Sequence, residues 1–299
     1  MPRLSVNAHL ASRRTLDLAV QAGCRGVRID GVWAMMQPAR DVWDWTLLDE
    51  SVVGAAERNL EVLVTLNGTP AWANGGHERN VPPIEISDWQ TFVKAVCERY
   101  RGQIGVLEIF NEPNIFGYWT GTAEQYVNYL LIPAIDVIRA AAPGIKIAAP
   151  ALSTEGDWRP WLDTMLNKSR HLIDLISVHC YAKHGRAVWD ALSEPPTWWE
   201  ALILRKGPCV KDVIGSAGAA NLPLWLTETG WSTHKVSEAE QASYFDQLLE
   251  GWATQPWVEN LFAYQLIDER YPVLCGLFRE NGSPKPVVQV MQQRQGDIA

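Results

Sequence analysis

The chain has 299 residues, 47% hydrophobic and 20% charged, with 22 Gly, 18 Pro, 15 Trp and a formal charge of −8. That length suits two ordinary domains or one α/β barrel of roughly 250 residues, and the composition excludes disorder, collagen and a small disulfide scaffold. The acidic balance argues against a nucleic-acid partner, which needs basic surface to neutralise phosphates.

Along the chain, apolar β-branched runs alternate with amphipathic stretches. Leu4–Asn7, Gly26–Asp30, Glu61–Asn67, Val106–Asn111, Ile145–Ala149, Ile173–His179, Leu222–Glu228 and Leu261–Leu266 read as strands. Ser12–Ala22, Leu47–Arg58, Ser87–Arg101, Ala123–Ala142 and Glu238–Trp252 are among the helices between them. Ser237-Glu238-Ala239-Glu240 has the spacing of a capping box, and Pro143-Gly144 closes the helix before it. Alternating strands and helices imply parallel pairing through right-handed crossovers. Eight such units without a linker or composition shift predict a single (β/α)8 TIM barrel spanning residues 1–299. No Gly-x-Gly-x-x-Gly or Walker sequence follows any strand, which disfavours an open nucleotide-binding sheet.

No apolar run approaches the roughly 20 residues of a membrane span, and Met1 to Leu10 lacks the pattern of a signal peptide. The chain therefore reads either as cytoplasmic or as a domain cut from a secreted precursor. Five cysteines without a Cys-x-x-Cys suggest buried free thiols rather than structural zinc. Oligomeric state is not legible.

In a barrel, reactive groups belong at the C-terminal ends of strands. Those ends read Arg28 and Asp30, Asn67, Asn111-Glu112-Pro113-Asn114, His179-Cys180-Tyr181, and Thr227-Glu228-Thr229-Gly230-Trp231. Glu112 and Glu228 each end an apolar run. Strand alternation predicts Glu108, Phe110 and Glu112 on one face, and Leu224, Leu226 and Glu228 on one face. Two carboxylates converging across a mouth suit glycoside hydrolysis, which needs a proton donor and a stabiliser of an oxocarbenium-like centre. The competing reading is a pair of helix caps or surface salt-bridge residues. His179, Cys180 and His184 fit no zinc spacing, so no metal and no cofactor is expected.

These motifs resemble the acid/base and nucleophile motifs of the clan A glycoside hydrolases, and within that clan family 39 and neighbouring exopolysaccharide-directed endoglycosidases. Val27-Arg28-Ile29-Asp30, Trp43-Asp44-Trp45 and Thr69-Pro70-Ala71-Trp72 carry further likeness, from about Val6 to Val290. The resemblance implies a retaining double displacement on a β-linked oligo- or polysaccharide, with Glu112 as acid/base and Glu228 as nucleophile. Arg28 and Tyr181 match the clan residues that contact the nucleophile, Asn111 the one that binds the sugar 2-hydroxyl, and His179 the histidine lining that subsite. Two departures stand out: Ala263 or Tyr264 falls where many members have a tryptophan, and Gln37 precedes Pro38 where a glutamate is usual.

The tryptophan excess suits stacking on pyranose rings. Trp33, Trp72, Trp119 and Trp231 are the candidate platforms; Trp43, Trp45, Trp89 and Trp161 read as packing. Glu108 reads as a structural polar layer beneath the mouth. A non-hydrolytic carbohydrate-binding barrel and a transglycosylase are the alternatives.

Overall fold

The computed structural model describes residues 3–204, 206–269 and 272–298, with side chains described to residue 295. Its strands are β1 (Arg3–Asn7), β2 (Gly26–Val32), β3 (Glu61–Asn67), β4 (Val106–Ile109), β5 (Lys146–Ala148), β6 (Leu152–Ser153), β7 (Ile176–His179), β8 (Leu224–Thr229) and β9 (Val258–Ala263). They form one parallel sheet in the order β5-β4-β3-β2-β1-β9-β8-β7-β6. A parallel bridge from Ala148 to Leu175 carries the sheet across its remaining gap. The fold is the expected (β/α)8 barrel, its fifth staff broken into β5 and β6 around Ala149-Pro150-Ala151. The barrel's seventh position is thus β8 and its eighth β9.

Strands buried on both faces read as continuous apolar runs because helices cover the outside and side chains fill the inside. Leu63, Val106, Ala148, Leu175, Trp225 and Phe262 make the inner plug. Val62, Val64 and Leu66 of β3 and Leu224 and Leu226 of β8 join the outer core beneath the helices. Above the plug lies a buried polar layer, with Arg28, Thr65, Glu108 and Thr227 all within it. Such a layer survives burial because its groups hydrogen-bond to one another.

Two expectations change. The stretch 123–142 is not one helix: it runs Ala123–Tyr126, a π-turn at Val127–Leu131, then Ile132–Ala141. Pro133 has no N–H to give to the preceding turn, and in that turn the Leu130 carbonyl accepts from the Trp89 indole at 3.0 Å. The last strand lies three residues earlier than its apolar pattern suggests: the Tyr264 amide makes the final ladder bond to the Thr229 carbonyl, and the Gln265 amide turns away to the Cys275 carbonyl at 3.2 Å. Helices at Trp158–Ser169, Gly185–Ser193, Val210–Ser216 and Pro286–Ile298 complete the outer ring. All five cysteines are buried free thiols. No helix among the described residues is long and apolar enough to cross a membrane.

Candidate active site

Strand alternation does not aim the two glutamates; local departures from it do. β4 ends at Ile109, and Phe110 and Glu112 take positive φ values of 79° and 41°. Left-handed backbone is costly for such residues and persists where surrounding bonds over-determine it. Here the broken fifth staff supplies them. The Glu112 amide donates to the Ala151 carbonyl at 2.9 Å, and Asn114 exchanges hydrogen bonds with Ser153 at 2.9 and 3.1 Å. Phe110 consequently turns outward against Trp119 and Tyr126, at ring distances of 5.5 and 6.4 Å, and does not share a face with Glu108.

On β8 the correction is similar. Trp225, not Leu224 or Leu226, points into the barrel, so strict alternation would send Glu228 outward. Register shifts between Leu226 and Thr229 against β9, and this bulge turns Glu228 inward. Gly230 follows it at a close approach: a Cβ there would stand 2.2 Å from the Tyr264 carbonyl oxygen.

Inside the mouth the side chains form one network. Arg28, 2% exposed, donates from Nε to Glu108 Oε2 at 2.7 Å and from Nη1 to Glu228 Oε1 at 2.7 Å. Its remaining donors reach Asn7 Oδ1 at 3.0 Å and Asn111 Oδ1 at 2.7 Å. The Tyr181 hydroxyl donates to Glu228 Oε2 at 2.7 Å. His179 Nδ1 lies 2.8 Å from Glu112 Oε1 and 3.4 Å from Glu228 Oε2. One atom each of Glu112, His179 and Glu228 falls within 4.8 Å of the others. The structure thus brings Glu112, Glu228, Arg28, Asn111, His179 and Tyr181 together at one place.

Glu108 completes the layer from below, accepting also from the Thr65 hydroxyl at 2.7 Å. His179 Nε2 is buried with no hydrogen-bond partner among the described residues. With no acceptor facing that nitrogen, the ring proton belongs on Nδ1, between the two carboxylates.

The electrostatics follow the geometry. Burial opposes the charge on Arg28, but Glu108 and Glu228 outweigh it and raise its pKa. Burial and the Glu228 charge both push the Tyr181 hydroxyl well above its usual value, so it remains a donor. Glu112, His179 and Glu228 have the ligand types of a cation site. Yet both Glu228 oxygens are already engaged by Arg28 and Tyr181, and a fixed guanidinium at 2.7 Å opposes a second cation.

The tryptophans separate by burial. Trp33 is 1% exposed, with its ring stacked on Phe92 at 5.5 Å. Trp119 is 2% exposed and packs on Phe110 and Tyr126. Neither offers a face to a sugar; both fill the core, a correction to the sequence reading. Trp72 is half-buried, its ring covered by the Arg40 guanidinium at 4.8 Å. Trp231 is buried against Phe245, its indole bonded to the Ala182 carbonyl, and only its margin borders a cavity.

Other aromatics occupy the mouth. Tyr118, 44% exposed, has its pKa raised to about 12, first by partial burial and then by the charges of Glu112 and Glu228. Tyr264 packs edge-on against Tyr181 at 6.0 Å. His9, just after β1 with φ 52°, bonds Asp30 at 2.8 Å and Gln265 at 2.6 Å and lies edge-on to Tyr264. A strand-end Asp30 is visible in sequence. No sequence pattern marks His9 or chooses Tyr118 over its neighbour Trp119.

Among known proteins, the model named glycosyl hydrolases family 39 matches residues 77–247, more than half of the chain. A family 39 glycoside hydrolase from Bacteroides cellulosilyticus WH2 superposes with TM-score 0.77 at 18% identity, over 98% of this chain and 63% of that one. GH5_18 from Streptomyces cattleya gives TM-score 0.76 at 21% identity, over 99% and 80%. A monomeric β-xylosidase from Caulobacter crescentus CB15 gives 0.72 at 17%, over 97% and 67%. At these identities the structures speak for the fold. A protein of Aspergillus fumigatus named probable glucan 1,3-beta-glucosidase A is 33% identical over 141 residues, 42% of this chain and 33% of the relative. The matched stretch thus spans about a third of that curated relative. With the barrel, the strand-end carboxylates and the matched family model together, the chain belongs to glycoside hydrolase family 39.

Proposed function

We propose that this glycosidase cleaves a β-linked oligo- or polysaccharide with retention, using Glu228 as nucleophile and Glu112 as acid and then base, all within one catalytic domain. The observation that carries the reading is the approach of the Glu112 and Glu228 carboxylate oxygens to within 4.8 Å. A close pair, at roughly 5–5.5 Å between carboxyl groups, supports covalent displacement, whereas ~6.5–9.5 Å leaves room for an attacking water.

In the first step Glu112 gives its proton to the glycosidic oxygen as Glu228 attacks the anomeric carbon and the leaving alcohol departs. In the second, Glu112 takes a proton from water, the water oxygen attacks the anomeric carbon, and the Glu228 carboxylate is released. Arg28 and Tyr181 favour the ionised nucleophile by donating one hydrogen bond to each of its oxygens. His179 holds Glu112 toward its partner. Asn111, oriented by Arg28, is in position to bind a sugar hydroxyl. The names of the compared β-glucosidase and β-xylosidase agree with a β-linked substrate.

Incubation with activated 2-fluoro glycosides of gluco, xylo, manno and galacto configuration, followed by intact-mass analysis, tests this. One covalent adduct that maps to Glu228 and is lost in Glu228→Gln is expected. Full hydrolytic activity in Glu228→Gln, or no adduct with any reagent, overturns it.

A further inference from the structure

Two pockets open beside the carboxylate pair. One, of about 250 Å³, is lined by Asn67, Arg79, Asn80, Phe110 and Tyr118 among others, at the ends of β3 and β4. The second, of about 460 Å³, includes Glu155, Tyr181, Lys183, Trp231 and Lys235, at the ends of β7 and β8. A larger cavity of about 680 Å³, near Arg13, Asp49 and Arg99, lies among the outer helices and does not touch this region. In the barrel's order the two mouth pockets are separated by about three staff positions, one beside the strand that leads to Glu112 and the other beside the strand that carries Glu228. Tyr118 connects the first to Glu112, whose charge it feels, and Tyr181 connects the second to Glu228 by its 2.7 Å hydrogen bond. A sugar chain crossing the carboxylates would enter both.

Their charge is the informative feature. Arg28, Arg40, Arg58, Arg99, Arg139 and Arg279 are all paired with acids. Arg79, Lys183 and Lys235, all exposed, form no ion pair among the described residues; Arg14, Arg25, Arg101, Arg159 and Arg170 form none either, but only these three line the mouth pockets. The Thr69 amide donates to the Arg79 carbonyl at 3.0 Å, which fixes that residue's backbone, while its side chain is exposed. In this pocket Arg79 can offer forked donors to a carboxylate, and Asn67 and Asn80 can offer amides to hydroxyls. In the second pocket two ammonium groups outnumber the single carboxylate of Glu155.

We propose that these pockets bind acid-bearing sugar units on both sides of the reacting bond, so that the substrate class is an anionic β-linked polysaccharide. This rests on Glu112 and Glu228 being the reacting pair. Because the molecule as a whole repels polyanions, any selectivity for them must come from local cations.

The Glu228→Gln chain, which should bind without cutting, is run through gels containing matched soluble polymers: hydroxyethyl- and carboxymethyl-cellulose, neutral and glucuronic-acid-bearing xylan, and neutral and carboxymethylated β-1,3-glucan. The acidic member of at least one pair is expected to retard the protein about tenfold more strongly at low salt, as one charge-assisted contact warrants. That preference should shrink as salt screens it, and vanish in the Arg79→Ala/Lys183→Ala/Lys235→Ala background. Equal or stronger retention by neutral partners, no retention by any polymer, or a preference that survives the triple substitution overturns the proposal. If Glu228→Gln melts early, Glu112→Gln replaces it. The 2-fluoro adduct on the unaltered chain reports the chemistry separately, so an adduct without acid selectivity refutes only this inference.

Discussion

Arg28 performs two tasks that a double substitution separates. Its guanidinium is the buried counter-charge of Glu108, which is 0% exposed, and a donor to Glu228. Replacing Arg28 with Leu leaves Glu108 buried without its cation, a change that costs about 3–5 kcal/mol. For a domain of this size that corresponds to a fall in Tm of roughly 6–20 °C, at about 2–4 °C per kcal/mol. Adding Glu108→Leu removes the stranded charge. The Thr65 hydroxyl then loses its acceptor, worth about 1 kcal/mol, so most of the lost stability should return. Hydrolysis should not return. Glu228 Oε1 lacks its 2.7 Å donor in both variants, and a lost charge-assisted bond of about 1.5–3 kcal/mol lowers kcat/KM roughly 10- to 100-fold. Differential scanning calorimetry and aryl-glycoside hydrolysis on the natural chain and the two variants measure both quantities. A double variant no more stable than Arg28→Leu, or one with restored turnover, would refute the division of labour.

Tyr181→Phe removes one hydroxyl from Glu228 and should lower kcat/KM about 10- to 100-fold with little change in Tm; unchanged kinetics would show that Arg28 alone suffices. The His9 pKa is raised from 6.5 to about 9, the Asp30 and Gln265 hydrogen bonds and the Asp30 and Glu269 charges outweighing burial, which opposes it. Its stabilising contribution is therefore complete below pH 6.5 and lost as pH rises through about 9, on the order of 1–2 kcal/mol after solvent screening. Melting curves should decline over that window in the natural chain and flatten in His9→Gln; parallel curves would refute the assignment. Trp33→Ala should cost about 3–5 kcal/mol of stability as a core cavity, whereas a raised KM at unchanged Tm would restore its role as a sugar platform.

The barrel was legible because a parallel sheet covered on both faces needs continuous apolar strands, and Glu61–Asn67 and Glu238–Trp252 have the limits their patterns suggest. The chemical identity of the mouth was legible too, since polar residues ending apolar strands are exceptional. Tertiary structure decided the aim of those residues. Glu112 faces the mouth through left-handed backbone pinned by Ala151, and Glu228 through a β8 bulge; strand period alone predicts neither orientation. Tryptophan shows the same limit. An indole in a loop after a strand can face sugar or core with the same sequence, and only the presence of Phe92, or of Phe110 and Tyr126, against its ring settles which. Sequence determined which groups are available, because composition and strand ends are local. Which of them meet was decided by contacts between segments far apart in the chain.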